Sequence, residues 1–227
     1  MKRIYAVTII LALVTTGARG QAETATDSVR NPYQPGDHEL FIMPTAYTMD
    51  AGQAYFSDYE LIFLNVTFAA TSTTHIGAFF LFPVTTDFLE TVTLGVKQNY
   101  FQSDQFSSAL WGSYTIKNDL YNAGNVFSIG TRGRSIHLGI GVVGEAKKQR
   151  NALLFLVGGR LDLSKKISAI AEWTNAKELM DEDFSGLLSI GIRFRSGSIA
   201  WELAGVRPME STGEFLFFPL LKATFVM

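Results

Sequence analysis

The 227-residue sequence contains no cysteine and only three histidines. Without cysteine, neither a disulfide framework nor a thiolate metal site can form. His38, His75 and His137 are too scattered along the chain to match the ligand spacing of a zinc site. We therefore expect no metal, no cofactor and no thiol chemistry.

Charge is also scarce, and long apolar runs are missing after the first twenty residues. Charged residues make up 18% of the chain and the formal net charge is −2, while the mean hydropathy of +0.16 is apolar for a soluble protein. No later run approaches the roughly 18 apolar residues of a membrane helix. High hydrophobicity without such a helix indicates alternating strands. The largest basic cluster, residues 147–150, is too small to favour nucleic acid as a partner.

The start of the chain has the three parts of a secretory signal peptide. Residues 1–3 form a basic opening, and residues 4–14 form an apolar run too short to cross a bilayer. Ala18 and Gly20 are small residues at the positions that precede a cleavage site. We therefore predict that residues 1–20 are removed on export.

A polar lead-in and a single domain are expected after the signal peptide. Residues 21–38 are polar and carry Pro32, Pro35 and Gly36 near their end, which predicts a flexible periplasmic segment. No boundary signal follows it, so residues 39–227 are expected to form one domain.

Four segments between residues 152 and 206 alternate in polarity with a period of two. In residues 188–195, large apolar side chains occupy one face, and Ser189, Gly191, Arg193 and Arg195 occupy the other. The turns between most of these segments have only a few residues. This pattern predicts antiparallel strands with one apolar face and one small, polar, sparsely charged face, as in a closed barrel surrounded by lipid.

The same alternation along the whole chain predicts about twelve strands, with ten as the alternative count. The first strand is expected at residues 39–47, the second at 54–69 and the last at 214–226. Connections after even-numbered strands are short and most others are longer, as in outer-membrane barrels with short periplasmic turns. The sequence therefore predicts an all-β fold, a transmembrane antiparallel up-and-down β-barrel integral to the bacterial outer membrane. A secreted β-sandwich is the alternative.

Several strand-and-turn motifs of the chain resemble a known group of proteins. The motifs are Gly159-Arg160, Leu163-Ser164-Lys165-Lys166-Ile167, Glu172-Trp173, Met43-Pro44-Thr45-Ala46 and residues 77–83. Together they span most of the mature chain, which is similar to uncharacterised outer-membrane β-barrel proteins of Gram-negative bacteria. The resemblance implies an envelope barrel and no particular reaction. The last strand departs from the usual terminal aromatic residue, because Phe225 is followed by Val226 and Met227.

Polar and charged side chains on the inward face are the candidate functional residues. They are His137, Arg160, Glu172, Arg193, Glu202 and Lys222. The charged ones lie on neighbouring strands with opposite signs, which favours a salt-bridged filling of the lumen, because opposite charges attract and a barrel of this size has limited bore. The alternative is a constriction that selects small polar solutes.

Two motifs that could indicate enzymes fail on their context. Ser135 and His137 could belong to a barrel lipid hydrolase, but alternation points His137 into the lumen, and the sequence places no third residue to orient its imidazole. The glycines of residues 139–144 match a dinucleotide-binding pattern, but the next strand follows too soon for the required helix. We therefore expect no enzymatic activity.

Two non-enzymatic functions remain open at this point. One is a narrow pore for small polar solutes. The other is a closed structural or binding barrel that acts through its outer loops, chiefly residues 176–183 and 207–213. The expected partners are membrane lipids, the barrel-assembly machinery and, for a pore, small polar solutes.

Overall fold

The computed structural model describes residues 33–82, 90–148, 150–175, 186–209 and 217–227. The predicted signal peptide and residues 21–32 of the predicted lead-in lie outside these residues. Twelve strands run through the described part of the chain. They are β1 (Ala54–Tyr59), β2 (Phe63–Ala69), β3 (Thr74–Leu81), β4 (Thr93–Gln102), β5 (Phe106–Thr115), β6 (Leu120–Thr131), β7 (Arg134–Glu145), β8 (Arg150–Asp162), β9 (Ile167–Thr174), β10 (Leu187–Ser196), β11 (Ile199–Pro208) and β12 (Phe218–Val226).

The strands form one closed antiparallel barrel. Each strand pairs with its neighbours in the chain, and β1 pairs with β12, with Tyr59 opposite Lys222 and Tyr55 opposite Val226. Closure gives each of the twelve described strands two hydrogen-bonded neighbours, so none of them has an open edge. The predicted all-β, up-and-down barrel of about twelve strands is confirmed.

Two of the predicted strands are nevertheless wrong, and the two errors cancel in the count. Residues 54–69 form β1 and β2 rather than one strand, because the chain turns at Glu60 and Leu61, whose φ angles are 59° and 61°. Such positive angles are rare outside glycine, asparagine and aspartate, so the residue types do not indicate a turn. Residues 39–47, predicted as the first strand, lie inside the barrel instead.

The two ends of the barrel differ in their connections. At the end that we name the short-turn end, tight turns such as residues 132–133 and 197–198 join the strands. At the opposite, long-loop end, three connections are much longer, namely residues 82–92, 175–186 and 209–217. The predicted alternation of short and long connections is therefore present. The predicted outer-loop residues 176–183 and 210–213 lie outside the described part of the chain.

The two faces of the barrel wall differ in polarity. Large apolar side chains cover the outer face, where Ile136 and Leu153 are 58% and 59% exposed. Small polar side chains such as Ser57, Ser168 and Thr224 are fully buried on the inner face. No helix in the described residues is long and apolar enough to cross a membrane. The distribution of apolar and polar side chains is thus the reverse of that in a soluble barrel.

Residues 33–50, which we name the lumen segment, occupy the interior from the short-turn end. A small hairpin forms its deepest part, where Leu40 N–H donates to Met43 O at 2.8 Å and Thr45 N–H donates to His38 O at 3.0 Å. The chain near Thr48 returns to the short-turn end, where the Thr48 hydroxyl donates to Ser72 O at 2.7 Å. Residues 33–38, predicted to belong to a flexible lead-in, are therefore packed inside the barrel.

Apolar packing holds the tip of the lumen segment, residues 40–43. Leu40, Phe41 and Met43 are buried in a cluster with small and aliphatic side chains of the wall. Gly158 on β8 provides the space, because a Cβ atom there would lie 2.3 Å from Leu40 Cδ1. The alternation in residues 39–47 thus buries apolar side chains against the inner wall and not against lipid.

Candidate functional site

All six predicted lumen residues point into the barrel and are nearly or fully buried. Arg193 and Lys222 are 0% exposed, and none of the other four exceeds 6%. Arg160, Glu172, Arg193 and Lys222 contact the lumen segment directly, whereas Glu202 contacts Arg193 and Lys222. The structure therefore brings the five charged residues together around the segment of chain that occupies the lumen.

The central part of the site is a buried ion-pair network across β10, β11 and β12. The register places Arg193 opposite Glu202, and Glu202 opposite Lys222. Arg193 Nε lies 2.8 Å from Glu202 Oε1, and Lys222 Nζ lies 3.5 Å from Glu202 Oε2. Lys222 Nζ also lies 2.6 Å from Glu39 Oε1 in the lumen segment. Buried charges of this kind are tolerated because each has an opposite charge beside it.

The same two cations also bind the backbone of the lumen segment. Arg193 Nη2 donates to Glu39 O at 2.9 Å and to Leu40 O at 2.8 Å. Lys222 Nζ donates to Phe41 O at 3.0 Å. Gly36 lies so close to Arg193 that an added Cβ atom would be 2.7 Å from the guanidinium carbon. The wall thus satisfies carbonyl groups that a hairpin tip would otherwise leave without donors.

Glu172 binds N–H groups of the same backbone, whereas Arg193 and Lys222 bind its carbonyl groups. Its carboxylate oxygens accept hydrogen bonds from the N–H groups of Phe41, Ile42 and Met43 at 3.0 to 3.2 Å. Consecutive N–H groups that converge on one anion form a concave binding site for negative charge. The N–H groups of the tip therefore stabilise the Glu172 carboxylate, which has no cationic side chain at hydrogen-bond distance among the described residues.

A second charged cluster lies at the short-turn end around Asp37. Arg160 Nη1 is 2.5 Å from Asp37 Oδ1, whereas Arg195 Nη2 and Arg132 Nη1 are 3.9 and 3.8 Å from its oxygens. Asp162 contributes a second carboxylate, 3.5 Å from both Arg160 Nε and Arg195 Nη1. Three guanidinium groups therefore share two carboxylates.

A further set of wall side chains binds the outgoing arm of the lumen segment. Lys97 Nζ donates to the carbonyl oxygens of His38, Thr45 and Tyr47 at 3.1, 3.2 and 2.8 Å. Asn99 Nδ2 donates to Ala46 O at 2.7 Å. Every one of these contacts supplies a donor from the wall to an acceptor in the segment.

Three charged residues of the site are not indicated by the sequence, namely Asp37 and Glu39 in the lumen segment and Lys97 in the wall. The sequence predicts a flexible lead-in for Asp37 and a wall strand for Glu39, and therefore does not indicate either as a partner of the lumen charges. Lys97 lies in a segment predicted as a strand, and its alternation with Val96 could have placed it inside. No signal in the sequence pairs it with backbone carbonyls about 50 residues earlier.

The titrating groups of the lumen segment itself are Glu39 and His38. Burial alone would raise the pKa of Glu39, but the Lys222 ammonium and His38 hold the pKa of that carboxyl well below its usual range. Burial lowers the pKa of His38 to about 4. His38 Nδ1 lies 2.6 Å from the Tyr33 hydroxyl, and Nε2 lies 2.8 Å from Glu39 Oε1. At neutral pH the segment therefore presents an ionised Glu39 and a neutral His38.

The sixth predicted residue, His137, is part of a neutral hydrogen-bond group. Its Nδ1 lies 2.7 Å from Ser128 Oγ and its Nε2 lies 2.9 Å from Ser135 Oγ. Ser128 Oγ also accepts a hydrogen bond from Ala46 N–H at 2.9 Å. Both ring nitrogens are engaged with hydroxyl groups, and the Tyr47 ring packs edge-on against the imidazole. His137 thus helps to position the lumen segment.

The described residues contain no group of three or more histidine or acidic side chains that could hold a metal ion. The described residues thus form a closed twelve-stranded antiparallel β-barrel whose lumen is occupied by the lumen segment.

Comparisons with known proteins add a distant likeness of overall shape. No protein-family model matches the chain, and no curated protein matches it significantly. Among solved structures, a triple mutant of the porin from Rhodopseudomonas blastica is similar with a TM-score of 0.40 and 11% identity. A structure described as "Asymmetric conductivity of engineered proteins" gives the same values. Each match covers 73% of this chain and 55% of the other, so the chain spans about half the length of these structures.

Proposed function

We propose that the protein is an integral outer-membrane barrel that its own lumen segment closes at rest. A single observation carries the proposal. Arg193, fully buried, simultaneously binds Glu202 on the neighbouring strand and the carbonyl oxygens of Glu39 and Leu40 in the segment. The wall and the segment therefore share one polar network, so the segment is an integral part of the folded barrel.

The polarity of the two faces supports the membrane location. Apolar side chains cover the outside of the barrel, and closure satisfies the backbone N–H and C=O groups of the strands. Both features are required of a β-structure in hydrocarbon. Export through a cleaved signal peptide, insertion by the barrel-assembly machinery and contact with membrane lipids belong to the same proposal.

The size of the barrel supports the closed state. Eight-stranded barrels are filled by their own side chains, and barrels of 16 to 18 strands hold an aqueous channel, so twelve strands leave an intermediate bore. Here the lumen segment occupies that bore from the short-turn end to the middle of the strands. We therefore favour a structural or binding barrel over a permanently open narrow pore for small polar solutes.

A non-enzymatic role is also part of the proposal. Ser135 and His137 are within hydrogen-bond distance, but both are buried, and His137 binds a second serine where a catalytic acid would orient it. This arrangement supports a structural histidine.

The test is a conductance measurement on the refolded mature chain, residues 21–227, in a planar bilayer. Heat-modifiable migration on a gel establishes that the barrel has folded. We expect no steady conductance from the folded wild-type protein. Persistent steps at the start of recording, in protein that migrates as folded, would show an open pore and contradict the proposal.

A further inference from the structure

Most lumen contacts place a donor of the wall against an acceptor of the segment. We propose that the lumen becomes an anion-selective passage for small anions when the lumen segment is displaced. This inference rests on the proposed function, in which the segment closes the barrel.

The charges of the described inner wall are predominantly positive. Six cationic side chains line the wall and its short-turn rim, namely Lys97, Arg132, Arg160, Arg193, Arg195 and Lys222. Three carboxylates accompany them, namely Asp162, Glu172 and Glu202. The wall therefore carries more positive than negative charge before the lumen segment is counted.

The lumen segment contributes what such a wall requires. Its two buried carboxylates, Asp37 and Glu39, lie against Arg160 and Lys222. Its backbone carbonyl groups accept hydrogen bonds from Lys97, Arg193 and Lys222. The segment thus supplies carboxylates and hydrogen-bond acceptors to a lumen whose wall is rich in hydrogen-bond donors.

Donor capacity at the short-turn end exceeds what the segment uses. Arg160 Nε, Arg195 Nε and Nη2, and Arg132 Nη1 are buried and have no hydrogen-bond acceptor among the described residues. Arg160 and Arg195 are each 6% exposed. Arg195 Nη2 and Arg132 Nη1 lie 3.9 and 3.8 Å from the Asp37 carboxylate, at the end through which the segment enters. Arg160 Nε lies 3.5 Å from Asp162 Oδ1 at the same end. An anion that replaced Asp37 would therefore find several guanidinium donors already in place.

The space that the segment occupies is sufficient for small solutes. Two neighbouring extended chains lie about 4.8 Å apart and packed layers lie about 10 Å apart, so removal of a hairpin frees a bore of roughly 10 Å. Trp111, Leu154 and Leu220 pack against the apolar cluster that surrounds the tip, and they contribute no charge. The six cationic side chains of the wall and its short-turn rim therefore set the ion preference of the open lumen.

The inference is tested with the full mature chain carrying Asp37→Asn and Glu39→Gln. These substitutions remove both carboxylates of the segment that face the wall, and they nearly keep the side-chain shapes. In a gradient of potassium chloride we expect discrete steps whose reversal potential shows chloride permeating several-fold better than potassium. Asp50→Asn, which removes an exposed carboxylate of the same segment, is the matched control and is expected to stay silent.

A reversible cross-link establishes whether the current flows through the lumen. Ala46 N–H donates to Ser128 Oγ at 2.9 Å, so cysteines at these two positions can join the segment to the wall. In the Asp37→Asn, Glu39→Gln protein, we expect oxidation of this cysteine pair to abolish the steps and reduction to restore them. Current that persists through complete oxidation would contradict passage through the lumen.

The wall cations are tested by a second matched pair in the open variant. Arg132 lies at the short-turn rim beside Asp37, whereas Arg134 is exposed on the strand that follows. Arg132→Gln is expected to reduce the chloride preference, and Arg134→Gln is expected to leave it unchanged.

The outcomes separate this inference from the proposed function. Open steps that prefer potassium, or that have no preference, overturn the anion-selective passage and leave the closed barrel intact. Steady conductance of the wild-type protein overturns the closed barrel itself. If the neutralised variant is silent, Asp37→Lys with Glu39→Lys sets like charges against the wall cations. Silence of that variant, folded by heat-modifiable migration, also overturns the inference.

Discussion

Glu172 on β9 binds the backbone N–H of Ile42 with both carboxylate oxygens, at 3.0 and 3.2 Å. The two residues are 130 positions apart in the sequence. Ile42 is at the tip of the lumen segment and its side chain is 52% exposed, so the backbone, rather than the side chain, makes the contact. The Glu172 carboxylate thus binds the hairpin tip through its backbone conformation, which directs successive N–H groups towards one point.

Replacement of Glu172 by glutamine should therefore destabilise the barrel. The amide has one acceptor oxygen and points an N–H donor at the backbone N–H groups of residues 41–43. We expect a loss of about 3 kcal/mol in the free energy of unfolding, because each hydrogen bond to a charged group contributes about 1.5 to 3 kcal/mol. Urea unfolding in detergent measures the change. Glu145→Gln, in a partly exposed pair with Lys148, is the control, and an equal loss there would contradict this account.

The inward position of the six candidate residues could be predicted from the sequence, because alternation fixes the face of each strand residue. Arg160, Glu172, Arg193, Glu202 and Lys222 all obey that rule in the structure. What alternation does not encode is the partner. The opposite charges on neighbouring strands indicated pairs within the wall, and Arg193–Glu202 is one, but most of the remaining contacts lead to the lumen segment.

The prediction of a strand at residues 39–47 is wrong for a physical reason. An extended chain with alternating apolar residues has the same pattern whether it pairs in a sheet or packs its side chains against one. Phe41 and Met43 bury their side chains in either arrangement, and only the three-dimensional closure of β1 onto β12 leaves residues 39–47 without a place in the wall. The sequence does not predict the turn at residues 60–62, because Glu60 and Leu61 are not turn-forming residue types.

The pair Arg193 and Glu202 should show strong energetic coupling. Removing one partner, in Glu202→Gln or Arg193→Met, leaves an opposite charge buried in the barrel, which typically costs 3 to 5 kcal/mol. In the double variant each charge is absent, so the loss should be smaller than the sum of the two single losses. A double-mutant cycle from urea unfolding measures the difference. Additive losses would show that the two side chains stabilise the barrel independently.

Acid should weaken the barrel through His38. The unfolded chain takes up a proton near pH 6.5, but the folded protein does so only near its lowered pKa of about 4. The stabilisation is therefore fully present above pH 6.5 and is lost as the pH falls towards 4. The imidazole stacks on the Tyr55 ring, with ring centroids 3.6 Å apart, and binds the Tyr33 hydroxyl and the Glu39 carboxylate. The charges of Lys97 and Lys222 also act on it.

His38→Gln isolates this contribution, because the amide can accept from Tyr33 and donate to Glu39 but does not titrate. We expect the loss of stability between pH 7 and 4 to be smaller in the variant, by an amount on the order of 3 kcal/mol. Heat-modifiable migration measured across that pH range gives the comparison. Parallel pH profiles of the two proteins would show that His38 does not titrate as described.

The close approach of Gly158 to the tip of the lumen segment yields the most local prediction. A Cβ atom at Gly158 would lie 2.3 Å from Leu40 Cδ1, and overpacking of this kind costs about 1 to 3 kcal/mol. Gly158→Ala should therefore lower the midpoint of thermal unfolding. Gly95→Ala on β4, whose Cβ would have its nearest neighbours at an ordinary contact distance of 3.7 Å, should change it little. Leu40→Ala adds the decisive step. If Leu40 and Gly158 meet inside the lumen, truncating the leucine removes the closest contact of the added Cβ and leaves those with Ala171 O at 3.1 Å and Glu172 Cβ at 3.2 Å. The double variant then loses less stability than the two single changes combined.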